Sequence, residues 1–114
     1  MRVIVCGGRD FEDRDFLFKK LNMLNVEHGF DVIYEGGARG ADTFAREWAK
    51  EANIPCQTFP AEWDKYGAKA GPIRNQVMLD QRPDLVIGFA GGRGTDHMLK
   101  IASKAGITTY KFYA

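Results

Sequence analysis

Leu85-Val86-Ile87-Gly88-Phe89-Ala90-Gly91-Gly92-Arg93-Gly94-Thr95 reads as a buried strand running into a glycine turn, with a helical pattern starting near Asp96. The apolar half shows no polar alternation, which marks a strand covered on both faces, as in a parallel sheet. Glycines accept positive φ and let the main chain come close to a ligand. A helix start leaves backbone N–H groups unpaired, and its dipole favours an anion there. Strand, turn and helix start together form a cradle for a phosphate-bearing small molecule. Taken alone, the loop reads equally well as a tight connection with nothing bound.

The flanking chain repeats the pattern. Arg2 to Cys6 is an apolar, β-branched strand, followed by Gly7-Gly8-Arg9-Asp10-Phe11. A helix is predicted from about Asp13 to His28, with Leu17, Leu21 and Leu24 inward and Gly29 as C-cap. Asp31 to Glu35 is a second strand, leading into Gly36-Gly37-Ala38-Arg39-Gly40-Ala41-Asp42. Ala41, Phe44, Ala45, Trp48, Ala49 and Ala52 then fall on one helical face. Ile54 to Phe59 is a short third strand, and Pro55 suits an edge position. Pro60 to Gly71 has no regular pattern and reads as a lid or partner surface. Pro72 is expected at the first position of a helix reaching Gln81, with Ile73, Val77 and Met78 inward and Pro83 ending it. After the opening stretch, Met98, Leu99, Ile101, Ala102 and Ala105 give the last helix its buried face, and Ile107 to Phe112 is the fifth strand.

Strands alternating with helices predict the α/β class. The expected fold is one domain over residues 1–114: a three-layer arrangement around a five-stranded parallel sheet of order 3-2-1-4-5, helices on both faces. Such sheets bind ligands at the carboxyl ends of the strands, at the switch point between strands 1 and 4.

Composition narrows the function classes. A net charge of +1 argues against duplex DNA as partner. No apolar run approaches a membrane span and no leader pattern opens the chain, so the expected location is the cytoplasm. Cys6 and Cys56 read as small buried hydrophobes of a reducing compartment, and no metal site or cofactor is called for.

Three glycine loops thus open on one edge of the sheet, and each carries an arginine: Arg9, Arg39 and Arg93. Arg74, near the start of the third predicted helix, lies on the same edge. The guanidinium fork suits phosphate. One arginine could simply pair with Asp10, Asp42 or Asp96, but four on the ligand-binding edge favour a site. Its expected ligand-binding residues are Gly7, Gly8, Arg9, Asp10, Gly36, Gly37, Arg39, Gly40, Asp42, Arg74, Asn75, Gly91, Gly92, Arg93, Gly94 and Thr95. Asp42 reads either as a helix cap or as an acceptor for ribose hydroxyls, and Asp10 could serve either way. Asp96 reads as a cap, and Thr95 as a cap or a phosphate donor. His97 and His28 read as surface residues. Trp63 and Tyr66 could stack on a base or pack a loop.

Taken together, Val5 to Phe11, Glu35 to Asp42, Ala70-Gly71-Pro72-Ile73-Arg74-Asn75 with Met78, and Gly91 to Thr95 resemble the SLOG superfamily over nearly the whole chain. The nearest branch is the small YspA-type one, related to YpsA and frequent in bacteria and their phages. Lonely Guy phosphoribohydrolases and DNA-processing protein A are more distant. The resemblance implies a Rossmann-like fold, a pocket for nucleotides or their derivatives, and homo-oligomers, with Phe112, Tyr113 and residues 60–71 available for an interface. Lonely Guy enzymes carry R-K-x-x-M and P-G-G-x-G-T-x-x-E, whose Arg and Glu are catalytic. Arg74 and Met78 match the first motif, with Asn75 for Lys; in the second, Ala90 replaces Pro and Met98 replaces Glu. The turn Gly37–Asp42 and the pair Arg74-Asn75 also resemble DNA-processing protein A, which binds single-stranded DNA.

The first expectation is therefore a sensor or sequestering protein for a nucleotide-derived signal. The second is an enzyme releasing base and ribose phosphate from nucleoside monophosphates, with Arg74 and one of Asp42, Glu35 or Glu62 doing the chemistry. On that view a glutamate at Met98 would restore weak base release. The third is single-stranded nucleic-acid binding.

Overall fold

The computed structural model describes residues 1–113. Strands β1 (Arg2–Cys6), β2 (Val32–Glu35), β3 (Cys56–Thr58), β4 (Leu85–Phe89) and β5 (Thr108–Phe112) form a parallel sheet of order β3-β2-β1-β4-β5. The switch point falls between β1 and β4, as expected. Helices α1 (Arg14–His28) and α2 (Ala41–Glu51) pack on one face. Helices α4 (Ala70–Leu79) and α5 (Arg93–Lys104) pack on the other, and a single turn of helix, α3 (Trp63–Tyr66), precedes them.

Side-chain alternation along the strands builds two cores from one sheet. Val3, Val5, Ile33, Ile87 and Phe89 meet Leu17, Leu21 and Leu24 of α1 and Ala41, Ala45, Trp48 and Ala49 of α2. Ile4, Tyr34 and Val86 face the other way, against Met78 of α4 and Met98 and Ala102 of α5. The alanines of α2 let that helix lie close on the sheet, as its sequence suggests. Gly29 closes α1 with φ 74°, donating its N–H to the Asn25 carbonyl.

Four expectations need correction. Residues 63–69 are helical, as α3 followed by a 3₁₀ turn at Gly67–Lys69. Helix α4 starts at Ala70, so Pro72 is its third residue; proline is tolerated there because first-turn N–H groups need no intrahelical partner. Ile73 and Val77 point outward, since α4 buries its small side, Ala70, Gly71 and Asn75, together with Met78. Ala105 lies beyond the end of α5 and is exposed. Among the described residues, no helix is long and apolar enough to cross a membrane.

Candidate functional site

The loops after β1, β2 and β4 meet at the carboxyl ends of the strands. Pairing of Val5 with Ile87 and Cys6 with Gly88 sets the first and last side by side. There the Gly8 N–H donates to the Ala90 carbonyl at 2.9 Å. This approach explains two of the glycines. A Cβ on Gly91 would run into the Gly8 nitrogen and the Thr95 hydroxyl. A Cβ on Gly40, whose φ is +77°, would run into the Gly8 and Arg9 carbonyls. Gly40 therefore seats the second loop under the first. It does not line the cleft, contrary to expectation, because its surroundings are backbone.

Gly92 and Gly94 are different. Neither has positive φ, and nothing lies within 4 Å of a Cβ added to either. Folding does not require glycine there. The absent side chains instead keep the start of α5 open to the cleft.

That cleft has a volume of about 1550 Å³. Apart from Gly40, every expected ligand-binding residue lines it: Gly7, Gly8, Arg9, Asp10, Gly36, Gly37, Arg39, Asp42, Arg74, Asn75, Gly91, Gly92, Arg93, Gly94 and Thr95. It also takes in Trp63, one of the two aromatics weighed for base stacking, and Cys6, Met78 and His97, which the sequence did not assign to it. Helix α5 begins at Arg93, earlier than its hydrophobic pattern indicates, and Gly92 is its N-cap without a side-chain cap bond. The caps expected of Thr95 and Asp96 are thus not made. Thr95 is buried in the first turn, and Asp96 is exposed beside it. The first-turn N–H groups are left without intrahelical or side-chain acceptors.

A chain of hydrogen bonds ties the walls together. Arg74 Nη1 donates to the Gly36 carbonyl at 2.8 Å, and its Nε donates to Asn75 Oδ1 at 3.0 Å. Asn75 Nδ2 donates to the Gly94 carbonyl at 3.1 Å and lies 3.0 Å from His97 Nδ1. For Nδ1 to accept, a neutral His97 ring carries its proton on Nε2. His97 is therefore part of the cleft wall rather than open surface.

The arginines divide. Arg39 pairs with Asp10 at 3.1 Å, but both side chains are largely exposed, so the pair adds little stability. Arg9 lies over the Trp63 ring. Among the described residues, no carboxylate stands within ion-pair distance of Arg9, Arg74 or Arg93.

Of the carboxylates weighed for chemistry, only Asp42 faces the cleft. Glu35 is fully buried and spent on structure, accepting from the Gly37 N–H at 2.6 Å and from the Thr58 hydroxyl. Glu62 borders a separate shallow groove beside Tyr66. Asp42 does not cap α2; its Oδ2 accepts from the Ala38 N–H at 3.2 Å. Burial pushes its carboxyl up from 3.8 to about 6, the Glu35 charge pushes the same way, and the Ala38 N–H and Arg74 oppose them. Burial and the Asp42 charge also push the Cys6 thiol well above its usual range, so it stays protonated on the cleft floor. Burial, with Glu35, raises the Cys56 thiol to about 11. Both cysteines are free. Among the described residues, no group of three or more His, Cys, Asp or Glu side chains could hold a metal ion. Met98, at the glutamate position of the Lonely Guy pattern, is fully buried in the core and does not line the cleft.

The raised Asp42 carboxyl has a consequence for stability. A folded-state value above the unfolded one means that folding favours the protonated form. The contribution is fully present below pH 3.8 and is lost as pH rises through about 6. Above that, the buried charge costs roughly 2–3 kcal/mol. Asp42→Asn is therefore expected to melt higher than wild type at pH 8 and together with it at pH 4. A melting difference that stays constant between those pH values would contradict this.

Fold and cleft together define a Rossmann-like, three-layer α/β protein whose glycine loops converge at the switch point of the sheet. The chain belongs to the YspA, cpYpsA-related SLOG family, whose sequence profile matches residues 1–66. It is 35% identical over 120 residues to the Gene 61 protein of Mycobacterium phage D29, covering 97% of this chain and 95% of that one. Among solved structures, the phosphoribosylglycinamide formyltransferase (purN) of Coxiella burnetii, in complex with CHES, is similar over 82% of this chain at 10% identity and a TM-score of 0.48. This chain spans 42% of that enzyme's length.

Proposed function

We propose that the protein binds a nucleotide or nucleotide-derived signalling ligand, as a sensor or a sequestering protein. The phosphate sits at the start of α5, and arginines from the converging loops surround it. The observation that carries this reading is the pair Gly92 and Gly94: glycines that the fold does not need, at the uncapped N-terminus of a 12-residue helix, facing the cleft. Bare N–H groups and the helix dipole favour an anion there. Arg74 and Arg93, which among the described residues have no carboxylate within ion-pair distance, supply further charge-assisted donors. The cleft exceeds the roughly 300–1,000 Å³ typical of small-molecule pockets, which leaves room for a ligand of nucleotide size. Asp42 supplies the acceptor that ribose hydroxyls need. Self-association, which family resemblance implies, would cover the exposed Tyr66, Ile73 and Val77.

A second reading, cleavage of a nucleoside monophosphate, draws on one observation. Asp42 faces the cleft with a carboxyl near 6, the range in which a carboxyl can exchange a proton at neutral pH. One experiment separates the two. Pure protein is incubated with nucleoside mono- and diphosphates, dinucleotides and cyclic oligonucleotides, and bound and free fractions are analysed by mass spectrometry. A ligand retained and released intact is the expected result. Free base with ribose phosphate would establish the second reading, and no retention of any compound would overturn the first.

A further inference from the structure

We propose that Trp63 is the platform on which the ligand's base stacks, and that Arg9 covers this platform until the base arrives. The inference rests on the nucleotide reading above and adds which wall of the cleft takes the base. The chain has two tryptophans, and their environments differ sharply. Trp48 is buried in the core, its indole N–H donating to Asn22 Oδ1 at 2.8 Å. Trp63 is 47% exposed and lines the same cleft as the open start of α5.

Trp63 is held in place while nearly half of it stays exposed. The indole Cη2 lies 3.4 Å from where a Cβ on Gly71 of α4 would stand, so the ring rests against the start of that helix. The Arg9 guanidinium stands 5.6 Å from the ring centroid. Among the described residues it has no carboxylate within ion-pair distance, whereas Arg39 on the neighbouring loop has Asp10.

A cation over an exposed indole is a weak contact. A flat aromatic base stacks on the same face more strongly and keeps more of the ring from water. The displaced guanidinium keeps its charge and needs an anion. Its loop is already joined to the phosphate loop by the Gly8–Ala90 hydrogen bond, so that anion is at hand. Base and phosphate thus exchange partners with one arginine, and the ligand class becomes an aromatic base joined to phosphate, not a bare sugar phosphate.

The test compares ADP, GDP and UDP with pyrophosphate, which has no base, on wild type, Trp63→Phe and Trp63→Ala. Trp63→Ala is expected to weaken nucleoside diphosphates at least about tenfold, the usual loss for one stacked base, and to leave pyrophosphate unchanged. Trp63→Phe should retain most of the affinity. In wild type, nucleotides but not pyrophosphate should quench tryptophan emission, and Trp63→Phe should abolish the quench because Trp48 is buried. Parallel loss of pyrophosphate in Trp63→Ala would make Trp63 a mere prop of the cleft. Unchanged nucleotide affinity would also overturn the platform. Either result leaves the nucleotide reading standing; failure of wild type to retain these compounds or any nucleotide of the larger panel would overturn that reading and the platform with it.

Discussion

Gly92→Asp is expected to abolish nucleotide binding while leaving the protein as stable as wild type or slightly more so. The two effects have separate causes at one position. Gly92 is the N-cap of α5, with φ −95° and ψ −149°, outside the left-handed region that demands glycine. A Cβ there meets nothing within 4 Å. Aspartate is among the best N-cap residues and offers a carboxylate to the bare N–H groups of the first turn, worth only about a few tenths of a kcal/mol over the glycine it replaces. That carboxylate would occupy the donors proposed for phosphate and set a negative charge against the ligand. The expected loss of affinity is on the order of 100-fold, by exclusion and like-charge repulsion together. Titration calorimetry with the ligand found by mass spectrometry, beside thermal melts, reads both effects. Undiminished affinity would remove the start of α5 from the site. Binding lost together with a collapse of the melting temperature would show that glycine is needed for the fold, and the central argument for the site would go with it.

The parts of this architecture readable from sequence were those fixed by local chemistry. Continuous β-branched runs announced buried parallel strands, and the glycine turns after them announced where the strands end. Alternation and the handedness of crossovers narrow the strand order to a few, of which the expected one is present, and the cleft lies at its switch point. The readings that failed depended on partners distant in sequence. His97 was read as a surface residue because nothing near it in sequence engages it. Its partner, Asn75, comes from α4, across the helix pair. Ile73 and Val77 were placed inward on hydrophobicity, but close packing of α4 buries Gly71 and Asn75 instead. Gly40 looked like its neighbouring loop glycines, and only the backbone carbonyls around its missing Cβ reveal a structural role. The early start of α5 was hidden because a helix without a side-chain cap carries no cap signal, and that missing cap is what opens the site.

Met98→Glu puts the enzymatic reading to its hardest test. If the chain were a Lonely Guy enzyme lacking one residue, glutamate at this position would restore base release, as the sequence comparison suggests. The structure points to a destabilised protein instead. Met98 is fully buried among Ile4, Tyr34, Met78, Val86 and Ala102, with Cys6 packed against them, and no charged side chain belongs to that cluster among the described residues. A carboxylate placed there would be an unpaired buried charge, at a cost of roughly 3–5 kcal/mol. Typical domains have only about 5–15 kcal/mol in total. The melting temperature at pH 7 should fall by on the order of 15 °C, at about 4 °C per kcal/mol. A buried glutamate titrates upward, so part of the loss should return as pH is lowered toward 5, where the side chain enters the core neutral. Met98→Leu, which keeps volume and polarity, should cost less than about 1.5 kcal/mol. A stable Met98→Glu protein that releases base from a nucleoside monophosphate would mean that α5 can turn this residue into the cleft, and the chain would then be a disabled hydrolase. Loss of stability without base release would leave Asp42 as the one carboxylate, of those weighed for chemistry, that lines the cleft, a group placed to hold ribose rather than to break its bond to the base.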